Sequence, residues 1–189
     1  MNIKVHSQIK NCKSISSNAS YYEAWSTVIR MRNGQLCLAF SGGRRRHVCP
    51  FGRLEFMQSD DNGQNWTWPR VIFDSSLDDR DGGLIETLEG SLLITTFSSD
   101  AYQQILERSE AALLDGSLSW SKDELYEWRR AHQRVLSSPF SEMGQWVFRS
   151  TDGGATWSHP IPSLVSNPHG PTVLKCGKLL YAGRELWGG

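Results

Sequence analysis

SDDNGQNW at residues 59–66 is repeated in kind, ninety-one residues later, by STDGGATW at 150–157. Both fit Ser-x-Asp-x-Gly-x-x-Trp, and the spacing has a local physical reason. Short polar side chains such as Ser59, Asp61, Ser150 and Asp152 bond backbone groups within their own turn. Gly63 and Gly154 admit the left-handed backbone that a tight turn needs. Trp66 and Trp157 offer a large apolar face to wedge into a core. Nothing in the pattern calls for a ligand, so these residues are expected to be structural.

Working outward, each motif lies between strands. RLEFMQ (53–58) leads into the first and RVIF (70–73) leaves it, while QWVFR (145–149) leads into the second. A second element also recurs: STVIRMRNGQLCLAFS (26–41), GLIETLEGSLLITTFS (83–98) and GPTVLKCGKLLYAG (170–183). Each is an apolar strand, a tight turn at Gly34, Gly90 or Gly177, and a second apolar strand, which reads as a β-hairpin. The unit is strand, turn, strand, loop, strand, motif, strand, a four-stranded antiparallel meander of roughly fifty residues such as a propeller blade requires. Units are expected at 24–73, at 82–101 and at 145–189. Residues 102–138 read as a helical insertion, with one helix over 102–114 ended by Gly116 and a second opened by the capping box Ser121-Lys122-Asp123-Glu124. On this count the insertion replaces the Asp motif of the second unit.

Bulk properties narrow the function. The 189 residues hold 20 Lys plus Arg against 20 Asp plus Glu, a formal net charge of zero. That argues against a general nucleic-acid binder, which carries a basic excess. Cys12, Cys37, Cys49 and Cys176 show no CxxC spacing and read as free thiols. No run of eighteen apolar residues is present, so no membrane span is expected. Residues 1–20 are polar and lack an apolar h-region, which predicts a cytoplasmic protein, or a secreted or periplasmic one if a leader precedes it.

Two Asp-box turns inside four-stranded repeats resemble the sialidase (neuraminidase) superfamily of six-bladed β-propellers. HVCPFG (47–52), DDRDGG (78–83) and HGP (169–171) are similar to wording in bacterial sialidase-like proteins. The resemblance covers about residues 20–189 and only the N-terminal half of such a domain. It implies an all-β fold, an incomplete six-bladed propeller with a helical insertion, read as a truncated product whose open blade faces would favour self-association. It implies a glycoside hydrolase acting on a terminal, acidic sugar, without a cofactor; the alternative is a non-catalytic propeller that binds glycan or protein. Sialidases carry an Arg-Ile-Pro motif where this chain reads Ala24-Trp25-Ser26-Thr27, and an acidic residue in a loop that here (42–54) has none. Their tyrosine nucleophile belongs to later blades.

In such a meander the Gly turns and Asp boxes share one end, and the loops that enter each unit share the other. The second end gathers Tyr21, Tyr22, Glu23 and Trp25, the loop GGRRRHVCPFG, the run Asp78-Asp79-Arg80-Asp81, then Asn167, His169, Arg184 and Glu185. Guanidinium forks suit a carboxylate ligand, so Arg44, Arg46, Arg80, His169 and Arg184 are the substrate-binding candidates. Asp81, Asp79 and His47 are the candidate acids and bases. Solvated arginines and a turn-capping Asp78-Asp79 are the plainer alternatives. His47 and Cys49 are of metal-binding type but lack a third ligand, so no metal is assigned.

Overall fold

The computed structural model describes residues 12–16, 22–137 and 143–186; Tyr21 falls outside them. The chain is mostly β, built from antiparallel four-stranded sheets and two helices, an all-β fold. The first sheet is a meander of β1 (Tyr22–Arg30), β2 (Leu36–Arg44), β3 (Arg53–Ser59) and β4 (Arg70–Phe73), in that order. The second repeats it with β5 (Asp78–Glu86), β6 (Leu92–Ser99), β7 (Gly144–Ser150) and β8 (Ile161–Pro162). Helices α1 (Tyr102–Asp115) and α2 (Lys122–Gln133) lie between β6 and β7, and a short hairpin of β9 (Thr172–Val173) and β10 (Leu179–Leu180) follows. Among the described residues no helix is long and apolar enough to cross a membrane.

One expectation is corrected here. Residues 145–149 do not open a third unit: β7 pairs with β6 from Leu92↔Ser150 to Ser98↔Gly144. The second sheet therefore keeps its own Asp box, and the helices are an insertion between its second and third strands. Lengthening a loop adds little closure entropy, so the hairpin-like pairing survives with some forty residues spliced into it.

Local chemistry explains the repeat. Met31 N–H donates to Gln35 O and Gly34 N–H to Met31 O; Thr87 and Gly90, then Leu174 and Gly177, make the same pair of bonds. The glycines sit at φ 93°, 83° and 85°, where a β-carbon would clash with its own backbone. In the first Asp box, Gly63 N–H donates to Ser59 Oγ (2.9 Å) and Asn65 N–H to Asp61 Oδ1 (2.8 Å). In the second, Gly154 donates to Ser150 Oγ (2.8 Å) and Thr156 to Asp152 Oδ1 (2.9 Å). The insertion follows its signals too: Gly116 ends α1 at φ 78°, and Ser121 Oγ accepts from Glu124 N–H at the start of α2.

The main core lies between the sheets. Cys37, Ala39, Leu54 and Phe56 meet Leu84, Leu92, Ile94 and Phe148, and Trp157 of the second box stands edge-on to Phe56 at 5.4 Å. A second core fastens the insertion onto the loop after β2, with Cys49, Leu77, Tyr102, Leu106, Leu125 and Trp128. Open faces were expected to bare Val28, Leu38 and Phe40, or Leu174, Leu179 and Tyr181. Val28 is 59% exposed and Leu179 43%, but Leu38 and Phe40 are buried.

Candidate functional site

The starts of β1 and β5, the loop after β2 and the turn at 167–170 converge at one end of the sheets. The convergence begins with an irregularity that both sheets share. In β1 the register slips between Ala24 and Thr27, and in β5 between Arg80 and Gly83. Within each slip one residue adopts a left-handed backbone, Trp25 at φ 52° and Asp81 at φ 67°. A non-glycine residue there stores strain of order 1 kcal/mol or more, and such residues cluster at functional sites. The two glycines after Asp81 have packing reasons. A β-carbon on Gly82 would lie 2.7 Å from Phe40 N, and Gly83 lies against the Gly170 backbone.

Asp81 is 5% exposed, and among the described residues no hydrogen bond or ion pair reaches its carboxylate. Burial pushes its pKa up to about 6, against the opposing pull of Arg80, Arg44 and His169. Beside it, the Arg80 guanidinium lies 4.6 Å from the Trp25 ring centre, with Nη2 3.4 Å from His47 Nε2. Its Nε is buried without a partner, and burial lowers its pKa. His47 is exposed and leans on Trp25, with ring centres 4.9 Å apart. His169 is exposed, in a turn closed by its own N–H to Asn167 Oδ1 (2.8 Å). Asp81, Arg80, Trp25, His47 and His169 therefore form one group, open to solvent on its His side.

The other candidates are placed differently. Arg44 is fully buried and forks onto Asp78, Nη1 to Oδ1 at 2.6 Å and Nη2 to Oδ2 at 3.0 Å. Ser41 Oγ, His47 O and Asp79 O accept further bonds at 2.9, 2.7 and 3.4 Å, so both terminal nitrogens are engaged; Arg44 clamps the two sheets and has no free fork for a ligand. Burial raises the pKa of Asp78 against the pull of Arg44. Asp79 is equally buried, accepting from Ser75 N–H (2.6 Å), Ser75 Oγ (2.8 Å) and Ser98 Oγ (2.6 Å), with its pKa raised to about 7 by burial. It anchors the start of β5 from beneath and has no access to solvent. Arg46 turns to the insertion, forking onto Glu124 (2.8 and 3.0 Å) and stacking on Trp120 at 4.3 Å. Arg184 pairs through its backbone with Ser166, and among the described residues no contact joins its guanidinium to Asp81. Trp25, which the sequence placed at this end without a role, is the ring that covers Arg80 and His47; stacking of this kind leaves no signal in spacing or composition. No group of three or more His, Cys, Asp or Glu is placed to hold a metal among the described residues.

No family model matches the sequence, and no curated protein does. Solved structures are similar in fold. One is a protein of unknown function from Dyadobacter fermentans DSM 18053, 21% identical with a TM-score of 0.59, covering 87% of this chain and 47% of that one. Another is the Hadza microbial sialidase Hz136, 14% identical with a TM-score of 0.48, covering 82% of this chain and 29% of that one. The chain thus spans about half the length of the first and less than a third of the second.

Proposed function

We propose that the two sheets and the following hairpin are successive blades of a sialidase-like β-propeller, and that the end bearing Asp81 is a glycoside-hydrolase site for a terminal, acidic sugar. The observation that carries this reading is the Asp81 carboxyl. It is buried, unpaired among the described residues, held on a strained backbone, and poised near pH 6. A carboxyl with that pKa gives up and takes back a proton near neutral pH, as the acid/base residue of a glycosidase must. Arg80 lies 3.7 Å from Asp78 through Nη1 and turns Nη2 toward His47, the edge it offers to a substrate carboxylate, and the exposed imidazoles of His47 and His169 border the opening.

A non-catalytic glycan- or protein-binding propeller is the second reading. It is favoured by the Arg44–Asp78 pair, which takes a guanidinium expected for substrate and closes it off. A panel of fluorogenic glycosides on the full-length protein separates the two. Hydrolysis of an acidic glycoside, lost in Asp81→Asn while binding persists, supports the enzyme. Saturable binding without turnover in the unmodified protein supports the module.

A further inference from the structure

The sheet that the helical insertion interrupts is complete without it. β7 pairs with β6 in one continuous register from Leu92↔Ser150 to Ser98↔Gly144, and among the described residues the helices add nothing to the intersheet core. Their buried side chains Tyr102, Leu106, Leu125 and Trp128 close instead on Cys49 and Leu77, and Trp128 stands edge-on to Phe51 at 6.4 Å. Cys49 and Phe51 belong to the loop after β2, the loop that carries His47. Residues 45–48 of that loop lie outside every strand, so side chains must fix their course.

Three consecutive arginines do so in two directions. Arg44 turns inward onto Asp78, and its Nη2 donates to His47 O at 2.7 Å. Arg45 and Arg46 turn the other way, onto α2. Arg45 Nη1 donates to Glu127 Oε2, with its guanidinium carbon 5.1 Å from the Phe51 ring centre. Arg46 forks onto both oxygens of Glu124 at 2.8 and 3.0 Å and stacks on Trp120 at 4.3 Å. A lone exposed ion pair adds little stability, but a planar fork on a carboxylate fixes orientation, and a ring stacked against it fixes the plane. Glu124 and Glu127 share one face of α2 and so grip adjacent residues of the loop. The imidazole that follows is thereby delivered to Trp25, with 4.9 Å between ring centres, and to Arg80 Nη2 at 3.4 Å. We infer that α2 is a brace for the Asp81 end: Glu124 and Glu127, through Arg46 and Arg45, are positioning residues that hold His47 against Trp25 and Arg80. That His47 serves a substrate rests on the function proposed above; that α2 positions it does not.

NMR of the full-length protein, labelled in histidine and tryptophan and with His47 assigned from His47→Gln, reads the His47–Trp25 contact directly. In the unmodified protein the His47 ring protons should show an NOE to Trp25 and a ring-current shift. The double variant Glu124→Gln/Glu127→Gln should lose that NOE and most of the shift, while the melting temperature falls by no more than about 4 °C. Glu124→Asp/Glu127→Asp, which keeps both charges, should return much of the signal. His169, held in its own turn by Asn167, should not move. With methylumbelliferyl N-acetylneuraminide as the probe, kcat/KM of the glutamine variant should fall about tenfold. Absence of turnover in the unmodified protein would count against the hydrolase reading alone, because the NMR measurement still decides the brace. The brace is overturned if His47 keeps its NOE and shift in the glutamine variant, or if His169 shifts as much as His47.

Discussion

Trp25 and Asp81 occupy the same step of the repeat: 56 residues separate them, as 56 separate Gly34 from Gly90. Both take the left-handed backbone there, at φ 52° and 67°. The first strand of each sheet thus has an irregular residue at this point, and the sequence fills it once with an aromatic and once with an acid. The two side chains then face a common group of cations.

Asp81→Asn should stabilise the protein in a pH-dependent way. The folded pKa of about 6 lies above the ordinary carboxylate value, so the aspartate form is at its most stable below pH ~4 and loses stability as pH rises through 6. Asparagine tolerates a left-handed backbone and carries no charge to bury. The gain over wild type should grow between pH 4 and 6 and level off above, at on the order of 2–3 kcal/mol. Chemical denaturation at pH 4, 6 and 8 checks this; an equal effect at all three would contradict the burial account of Asp81.

The Arg44–Asp78 fork should behave as a buried ion pair. Arg44→Met leaves a buried carboxylate without its bidentate partner, with only Arg80 at 3.7 Å, a loss of about 3–5 kcal/mol. The double variant Arg44→Met/Asp78→Leu should recover most of it, because neither charge then remains to be desolvated. A double-mutant cycle by urea denaturation reads the coupling, and additive single losses would show that the two do not act as a pair.

Trp25 covers both guanidiniums, with the Arg44 and Arg80 carbons 4.8 and 4.6 Å from its ring centre. Trp25→Ala should lose about 2 kcal/mol from two cation–π contacts and their desolvation, and Trp25→Phe should retain the larger part. Equal losses in the two variants would mean that the ring contributes through bulk alone.

The Asp boxes should fail in acid. The Asn65 backbone N–H and its side-chain amide hold Asp61 down to about 2, and the Thr156 hydroxyl and N–H hold Asp152 lower still. Both carboxylates therefore support the fold above the ordinary carboxylate pKa of about 4, and that support is lost as pH falls from 4 toward 2. Asp152→Ala should lower the melting temperature by several degrees at pH 7 and by much less at pH 2, while leaving ligand affinity of the folded protein unchanged. Differential scanning calorimetry at the two pH values measures it; lost binding at an unaltered melting temperature would place a ligand at this end instead.

The sequence by itself determined whatever is decided within a few residues. Ser59, Asp61 and Gly63 close their turn on their own backbone, Gly34 and Gly90 make their hairpins, and Ser121 caps α2. Such contacts form in any context that lets the local chain take that shape, so composition and spacing reveal them. Only the tertiary structure decided that β7 belongs with β6, since the pairing spans the whole insertion and strand propensity carries no address for a distant partner. It decided as well that Arg44 forks onto Asp78 while Arg80 touches the same carboxylate only at 3.7 Å and reaches toward His47. Both arginines look alike in sequence, and their roles diverge because one points between the packed sheets, where a charge must be paired, and the other points toward the opening beside Asp81.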